Sequence, residues 1–240
     1  MHLRLVVMIG VAACATSPRT RSMVPVRIVD LTPVLEPVAS EPQTFENPAF
    51  LAMRTVTLFD HQGAHYDPPS HVLRDGTTVD EEPLDKFIGR AHVIDFRGKP
   101  RDAGLSRADF EHAGVKAGEV VIAFVGCPAG THDHCPYLTG DAAEYLATIP
   151  VKMFATDAWT IANPALFEPF FAMAKAGTPG RWQDFLPEHH AFLSRGIPNI
   201  EGLTNLEPLL GERDVVFVAF PVRLYKGTGA PVRAAALIYE

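Results

Sequence analysis

Seven of the ten histidines in this 240-residue chain fall into three short groups: His61, His65 and His71; His132 and His134; His189 and His190. Imidazoles gathered in this way suit metal binding or proton transfer, because their charge changes near neutral pH. The densest stretch is His61-Gln62-Gly63-Ala64-His65-Tyr66-Asp67-Pro68-Pro69-Ser70-His71. Gly63 and two prolines exclude a regular helix, so a shaped loop or extended arm is expected. In extended chain His65 and Asp67 project to the same side, and a turn at Gly63 brings His61 beside them. Two imidazoles and a carboxylate meeting there make a ligand set for Zn(II), Mn(II) or Fe(II). A solvated loop is the bland alternative, and three histidines and an aspartate in so short a stretch weigh against it. His132 and His134 lie between Cys127 and Cys135, but that spacing matches no established zinc motif.

These side chains need elements to hold them. Strand-like runs occur at Val26–Leu31, Arg54–Phe59, His92–Phe96, Val120–Val125, Lys152–Ala155, Val215–Pro221 and Val232–Tyr239. Most are rich in β-branched or aromatic residues and bounded by Gly, Pro or Asp. Ser106 is placed to cap a helix running through His112, with Asp109 at its third position and Gly114 beyond its end. Thr139-Gly140-Asp141 starts a second helix, Asn163-Pro164 a third that closes near Gly177, and Pro187 to Arg195 forms a fourth ended by Gly196. Strands and helices are interspersed without strict alternation. The expected class is therefore α/β with a mixed sheet, as one domain over residues 23–240.

Composition narrows the function. A net charge of −7 lacks the basic excess of a nucleic-acid binder. The uncharged run Leu5–Ala13 is too short to span a bilayer and reads as the core of a secretory leader over residues 1–22. Val11-Ala12-Ala13-Cys14 also resembles a lipobox. Export to the periplasm, or lipid anchoring, is the expectation; the alternative is a cytoplasmic protein whose translation starts at Met23. With Cys14 removed or lipidated, Cys127 and Cys135 remain as a pair, bonded in an exported protein and free thiols in a cytosolic one.

The His61–His71 segment resembles the HxGTHxDxPxH motif of the cyclase-like metal-dependent hydrolases, a family that includes bacterial kynurenine formamidases and isatin hydrolases. Ala64 stands where the family usually has Thr. Pro136-Tyr137-Leu138-Thr139, His189-His190-Ala191-Phe192-Leu193, Gly196-Ile197-Pro198, Ile200-Glu201-Gly202-Leu203 and Gly227-Thr228-Gly229-Ala230-Pro231 extend the likeness to the end of the chain, and Asp157 matches a family carboxylate after a central strand. The resemblance implies a single-domain swivelling β/β/α fold. It also implies one or two ions of Zn(II) or Mn(II), one held by His61, His65 and Asp67 and the other by Asp67, His189 and Glu201. His71 resembles the catalytic histidine, with another ligand as its alternative role, and His190 is expected to be structural.

The implied activity is hydrolysis of an amide-type C–N bond by metal-activated water, on a formamide such as N-formylkynurenine or a cyclic amide such as isatin. Lactone or ester hydrolysis, cyclisation, or binding without turnover are the alternatives. Kynurenine formamidases carry a tryptophan in the amino-terminal arm. Here none follows Val29-Asp30-Leu31-Thr32, which leaves Phe45 or Phe50 to supply an aromatic wall; His132 and His134 lie in a loop the family places near the substrate mouth, where they either contact substrate or, the favoured reading, are simply solvated. A small molecule is the expected partner, and the family suggests a homodimer or homotetramer.

Overall fold

The computed structural model describes residues 24–44, 52–127, 134–177 and 184–239. The expected leader therefore lies outside the described residues, as do Phe45, Phe50 and His132. No helix among the described residues is long and apolar enough to cross a membrane.

Twelve strands and four α-helices are described. Eight strands form one mixed sheet: β1 (Arg27–Asp30), β4 (His65–Asp67), β5 (Ile88–Asp95), β7 (Val120–Phe124), β9 (Met153–Thr156), β10 (Asn199–Glu201), β11 (Val215–Pro221) and β12 (Ala230–Ile238). Their order is β1-β12-β11-β5-β7-β9-β10-β4, and β4 also pairs with the start of β12. The sheet thus closes on itself as a barrel. Pairs β5–β7, β7–β9 and β9–β10 are parallel; the remaining pairs are antiparallel. Two smaller ribbons, β2 (Ala39–Thr44) with β3 (Ala52–Thr57) and β6 (Gly104–Leu105) with β8 (Tyr137–Leu138), stand apart from it.

Alternation along the central strands builds two cores. Val120 and Ile122 of β7 and Met153 and Ala155 of β9 face the barrel interior with Leu31, Tyr66, Phe87, Ile200 and Phe217. Val121, Ala123 and Phe154 face outward and pack under helices α1 (Arg107–Ala113), α2 (Gly140–Thr148) and α4 (Pro187–Leu193), where Phe110, Leu146 and Phe192 complete the layer. This is the expected α/β class, with strands buried on both faces and therefore continuously apolar.

The expected helix signals operate. Ser106 and Asp109 form a reciprocal capping box at α1, and Gly114 ends that helix at φ +71°. Pro187 occupies the first turn of α4. The third expected helix is divided, with a 3₁₀ turn at Pro164–Leu166 leading into α3 (Phe167–Lys175). Asn163 caps that turn by accepting from the Ala165 amide at 3.0 Å. Strands β4 and β10, of three residues each, are too short to show a period in sequence.

Asp157, just after β9, organises the end of β7. Its Oδ1 accepts from the Val125 amide at 2.7 Å, and its Oδ2 accepts from Gly126 and Cys127, each at 2.9 Å. Cys127 is disulfide-bonded to Cys135 across the loop, with 5.9 Å between Cα atoms. Burial pushes the Asp157 carboxyl up to about 6, with the three amides opposing that rise. The folded state therefore binds this proton more tightly than the unfolded chain does. The stability this group contributes is fully present below the unfolded pKa and is lost as pH rises through the folded value. Asp157→Asn replaces one acceptor oxygen with a donor and leaves at least one amide unpaired. We expect it to cost about 1–3 kcal/mol at pH 7 and to flatten the stability profile between pH 4 and 6, as measured by urea denaturation across that range.

Candidate metal centre

Strands β4 and β10 form the floor of the site. They run antiparallel in a register that sets His65 opposite Glu201 and Asp67 opposite Asn199, with Tyr66 opposite Ile200 between them. Successive residues point to opposite faces. Tyr66 and Ile200 therefore enter the barrel core, where Tyr66 meets Phe87 edge-on at 4.8 Å. His65, Asp67, Asn199 and Glu201 share the other face, and all four are buried.

The remaining imidazoles arrive from three directions. The chain turns at Gly63 with φ +65°, as expected, and His61 Nδ1 meets Asp67 Oδ1 at 2.8 Å. A Cβ on Gly229 would lie 2.5 Å from His61 Nε2, so glycine there leaves room for the ring. His71 ends the 3₁₀ turn Pro69–His71, with its ring centroid 4.3 Å from His61 and 5.7 Å from His189. His189, near the start of α4, places Nε2 3.4 Å from Glu201 Oε1 and 3.7 Å from Asp67 Oδ2. His65 Nε2 lies 3.5 Å from Asp67 Oδ1 and 3.6 Å from Glu201 Oε2.

Several partners fix which nitrogen faces the cluster. His65 Nδ1 donates to the Gly63 carbonyl at 2.8 Å, and His189 Nδ1 lies 3.3 Å from Glu188 Oε1. Both rings are thereby oriented with Nε2 toward the carboxylates. Asn199 Nδ2 donates to Asp67 Oδ2 at 2.8 Å and to Glu201 Oε1 at 2.9 Å, bracketing the two acids. Glu201 Oε1 also accepts from the Ile161 amide at 2.8 Å.

The electrostatics follow from burial among opposite charges. Asp67 is held well below the usual carboxylate range: burial opposes its charge, but His65, His61 and His71 outweigh that cost. His189 is raised to about 10; burial works against the imidazolium, and Glu188 and Glu201 overcome it. His61 is raised for the same reason, with Asp67 as its partner against burial. His71 is lowered, first by burial and then by the neighbouring His61 and His189 against the pull of Asp67.

This donor set fits a divalent cation. His61, Asp67 and His71 form one group, and His65, Asp67 and Glu201 another, with the ligand atoms of each within 4.8 Å of one another. An ion about 2.1 Å from each donor holds donors no more than about 4.2 Å apart, so small side-chain shifts would close either group around it. Asp67 belongs to both groups, and no lysine or arginine lines the cavity above them among the described residues. The grouping differs from the expected one: His71 stands in place of His65 beside His61 and Asp67, and His65 in place of His189 beside Asp67 and Glu201.

The cavity above the cluster has a volume of about 570 Å³. Its upper wall consists of Trp159, Thr160, Phe167, Phe170, Phe171 and Leu186, with Val72 beside His71. Trp159, rather than a residue of the amino-terminal arm, thus supplies a tryptophan. His134 stands apart: it takes φ +62°, is exposed, and pairs with Asp102 Oδ2 at 2.7 Å. That turn directs it to the surface, and it is absent from the cavity lining. Ala64 is sealed in the barrel core, a place that accepts a methyl group without needing the usual threonine hydroxyl.

The sequence pattern of the family described as "Putative cyclase" matches residues 29–163. The chain belongs to this family. A kynurenine formamidase from Salinibacter ruber is 31% identical over 198 residues, covering 79% of this chain and 81% of that protein. An isatin hydrolase from Roseibium aggregatum is 27% identical over 215 residues, covering 79% and 76%. Among solved structures, isatin hydrolase A from Labrenzia aggregata bound to benzyl benzoate superposes with a TM-score of 0.70 at 22% identity, covering 89% of this chain and 94% of that one. The expected cyclase-like fold is therefore observed.

Two residues of this cyclase-family site escaped sequence reasoning although they are next to ones it found. Asn199 is two residues before Glu201, which in a strand is the same face. Glu188 immediately precedes His189 and is buried against it. With Asn199 removed, two buried carboxylates face each other without the amide between them. We expect Asn199→Leu to weaken divalent-metal affinity about 10–100-fold, as read by competition against a chelator of known affinity, with the far-ultraviolet circular dichroism unchanged.

Proposed function

We propose that this chain is a metal-dependent hydrolase that cleaves an amide-type C–N bond in a small, non-peptide substrate. The observation that carries this reading is the placement of a buried His/Asp/Glu cluster at the floor of a ring-lined cavity. Membership of the cyclase family, with relatives named kynurenine formamidase and isatin hydrolase, supports it.

His61, His65, Asp67, His189 and Glu201 are assigned as ligands, and their mixed nitrogen and oxygen donors suit Zn(II) or Mn(II), as one ion or two sharing Asp67. When bound, the cation supplies Lewis acidity to a carbonyl oxygen and makes a nearby water easier to deprotonate. The chain's own residues do the rest. Asn199 and the Ile161 amide hold the two carboxylates in place, and Glu188 and the Gly63 carbonyl hold the two buried rings. His71 is assigned as the proton carrier. Its lowered pKa keeps the ring neutral near pH 7, ready to take a proton and pass it to the leaving nitrogen.

The decisive test is chelator-sensitive hydrolysis of N-formylkynurenine, isatin and a lactone by purified protein reconstituted with zinc or manganese. No hydrolysis with either metal would overturn the reading, and turnover of the lactone alone would favour ester chemistry. We expect His71→Ala to retain metal within twofold while kcat falls at least 100-fold; loss of metal in step with activity would instead make His71 a ligand.

We further assign a second copy of the chain as partner. The β2–β3 ribbon pairs with no other described strand, and an isolated ribbon is marginal in water. Beside it an apolar groove runs past Val34, Leu35, Val56, Leu58, Phe59 and Val222, of which five are exposed. Covering such a patch with its own two-fold copy would resolve both liabilities. Sedimentation should report a dimer or tetramer, and Phe59→Asp should shift it toward monomer. The Cys127–Cys135 bond suits an oxidising compartment and so supports export.

A further inference from the structure

The wall of the cavity opposite the metal cluster is chemically one-sided. Trp159 meets Phe167 edge-on at 5.2 Å, Phe167 meets Phe171 at 6.2 Å, Phe170 meets Phe171 at 5.5 Å, and Phe170 meets Phe185 at 6.0 Å. These rings come from α3 and its flanks, and α3 lies beyond the residues 29–163 that match the family pattern. Phe171 remains 63% exposed, so ring surface is left for something else to cover.

Beyond the cluster, the described wall offers the Thr160 hydroxyl and the Trp159 indole as polar groups, and no ammonium or guanidinium. A charged group held against these rings would lose water and gain no counter-ion from the described lining. A neutral ring, by contrast, can stack edge-on against Phe170 and Phe171 and bury their free surface.

We propose that the α3 aromatic wall determines specificity, admitting neutral aryl amides and refusing those whose ring carries an ionised tail. This rests on the hydrolase reading above and adds to it the class of substrate accepted. Phe171 contributes most at the rim because it is the most exposed ring of the group. Phe170 forms the inner part of the same surface.

A matched pair of substrates tests the proposal: formanilide and 4-formamidobenzenesulfonate, which differ by one charge. Sulfonate is used because it is a weaker metal ligand than carboxylate. Binding is measured separately by calorimetry on the metal-loaded protein with the inert ketones acetophenone and 4-acetylbenzenesulfonate. In the wild type the neutral member of each pair is favoured at least tenfold, through KM for the amides and Kd for the ketones. Phe171→Arg places a cation at the rim and shifts both ratios toward the sulfonate at least tenfold. Phe170→Ala raises KM for formanilide more than it lowers kcat. Hydrolysis of both amides with equal kcat/KM, or equal binding of the two ketones, including no measurable binding of either, overturns the proposal. If neither amide is cleaved while the ketone preference and its Phe171→Arg shift persist, the hydrolase reading fails and the wall's role stands.

Discussion

The pairing of β4 with β10 is the constraint on which the site depends. Six residues, three on each strand, decide which side chains enter the barrel and which face the cavity. A slip of one residue would bury His65 and Asp67 in apolar surroundings and turn Tyr66 outward. The register is held from both sides: Tyr66 and Ile200 are locked in the barrel core, and β12 pairs with the outer edge of β4. Gly202, at φ +72°, lets the backbone after β10 pass against that of Gly63, where any side chain would collide. The hydrophobic interior and the polar cluster thus share one ladder of backbone hydrogen bonds.

That arrangement also explains why so many ionisable groups tolerate burial. Two carboxylates removed from water are costly unless charge and hydrogen bonds compensate. Here the compensation is distributed. Asn199 donates to both acids, the Ile161 amide donates to one, and His61 pairs with Asp67. Asp157 solves a different problem with the same chemistry, since its carboxylate accepts three consecutive amides where β7 ends. The first group opens into the cavity.

Much of this was legible in the sequence because the signals were local. Gly63, the prolines and the two-residue step from His65 to Asp67 imply an extended arm with a turn, and that is how the segment folds. The capping residues Ser106, Asp109 and Gly114 mark α1 without any tertiary information. Glu201 and His189 required the family resemblance, since nothing near either residue says that strand β10 lies beside β4. Asn199 and Glu188 were missed because their value arises only from what lies across the ladder or beside the ring. The aromatic wall was missed for a related reason. Phe167, Phe170 and Phe171 lie within the third expected helix, and only the fold shows that they line a cavity.

Strand β12 touches three neighbours: β11 along its length, β1 at its far end and β4 at its start. Because β12 comes after both β4 and β10 in the sequence, a chain that has paired those two still lacks the partner that closes the barrel. Until then β4 has an open edge, and its histidine and aspartate are presented on an unsealed ribbon. Pairing over so great a sequence separation is slow relative to local helix formation. Closure by β12 therefore makes the floor of the candidate site one of the latest parts of the molecule to mature.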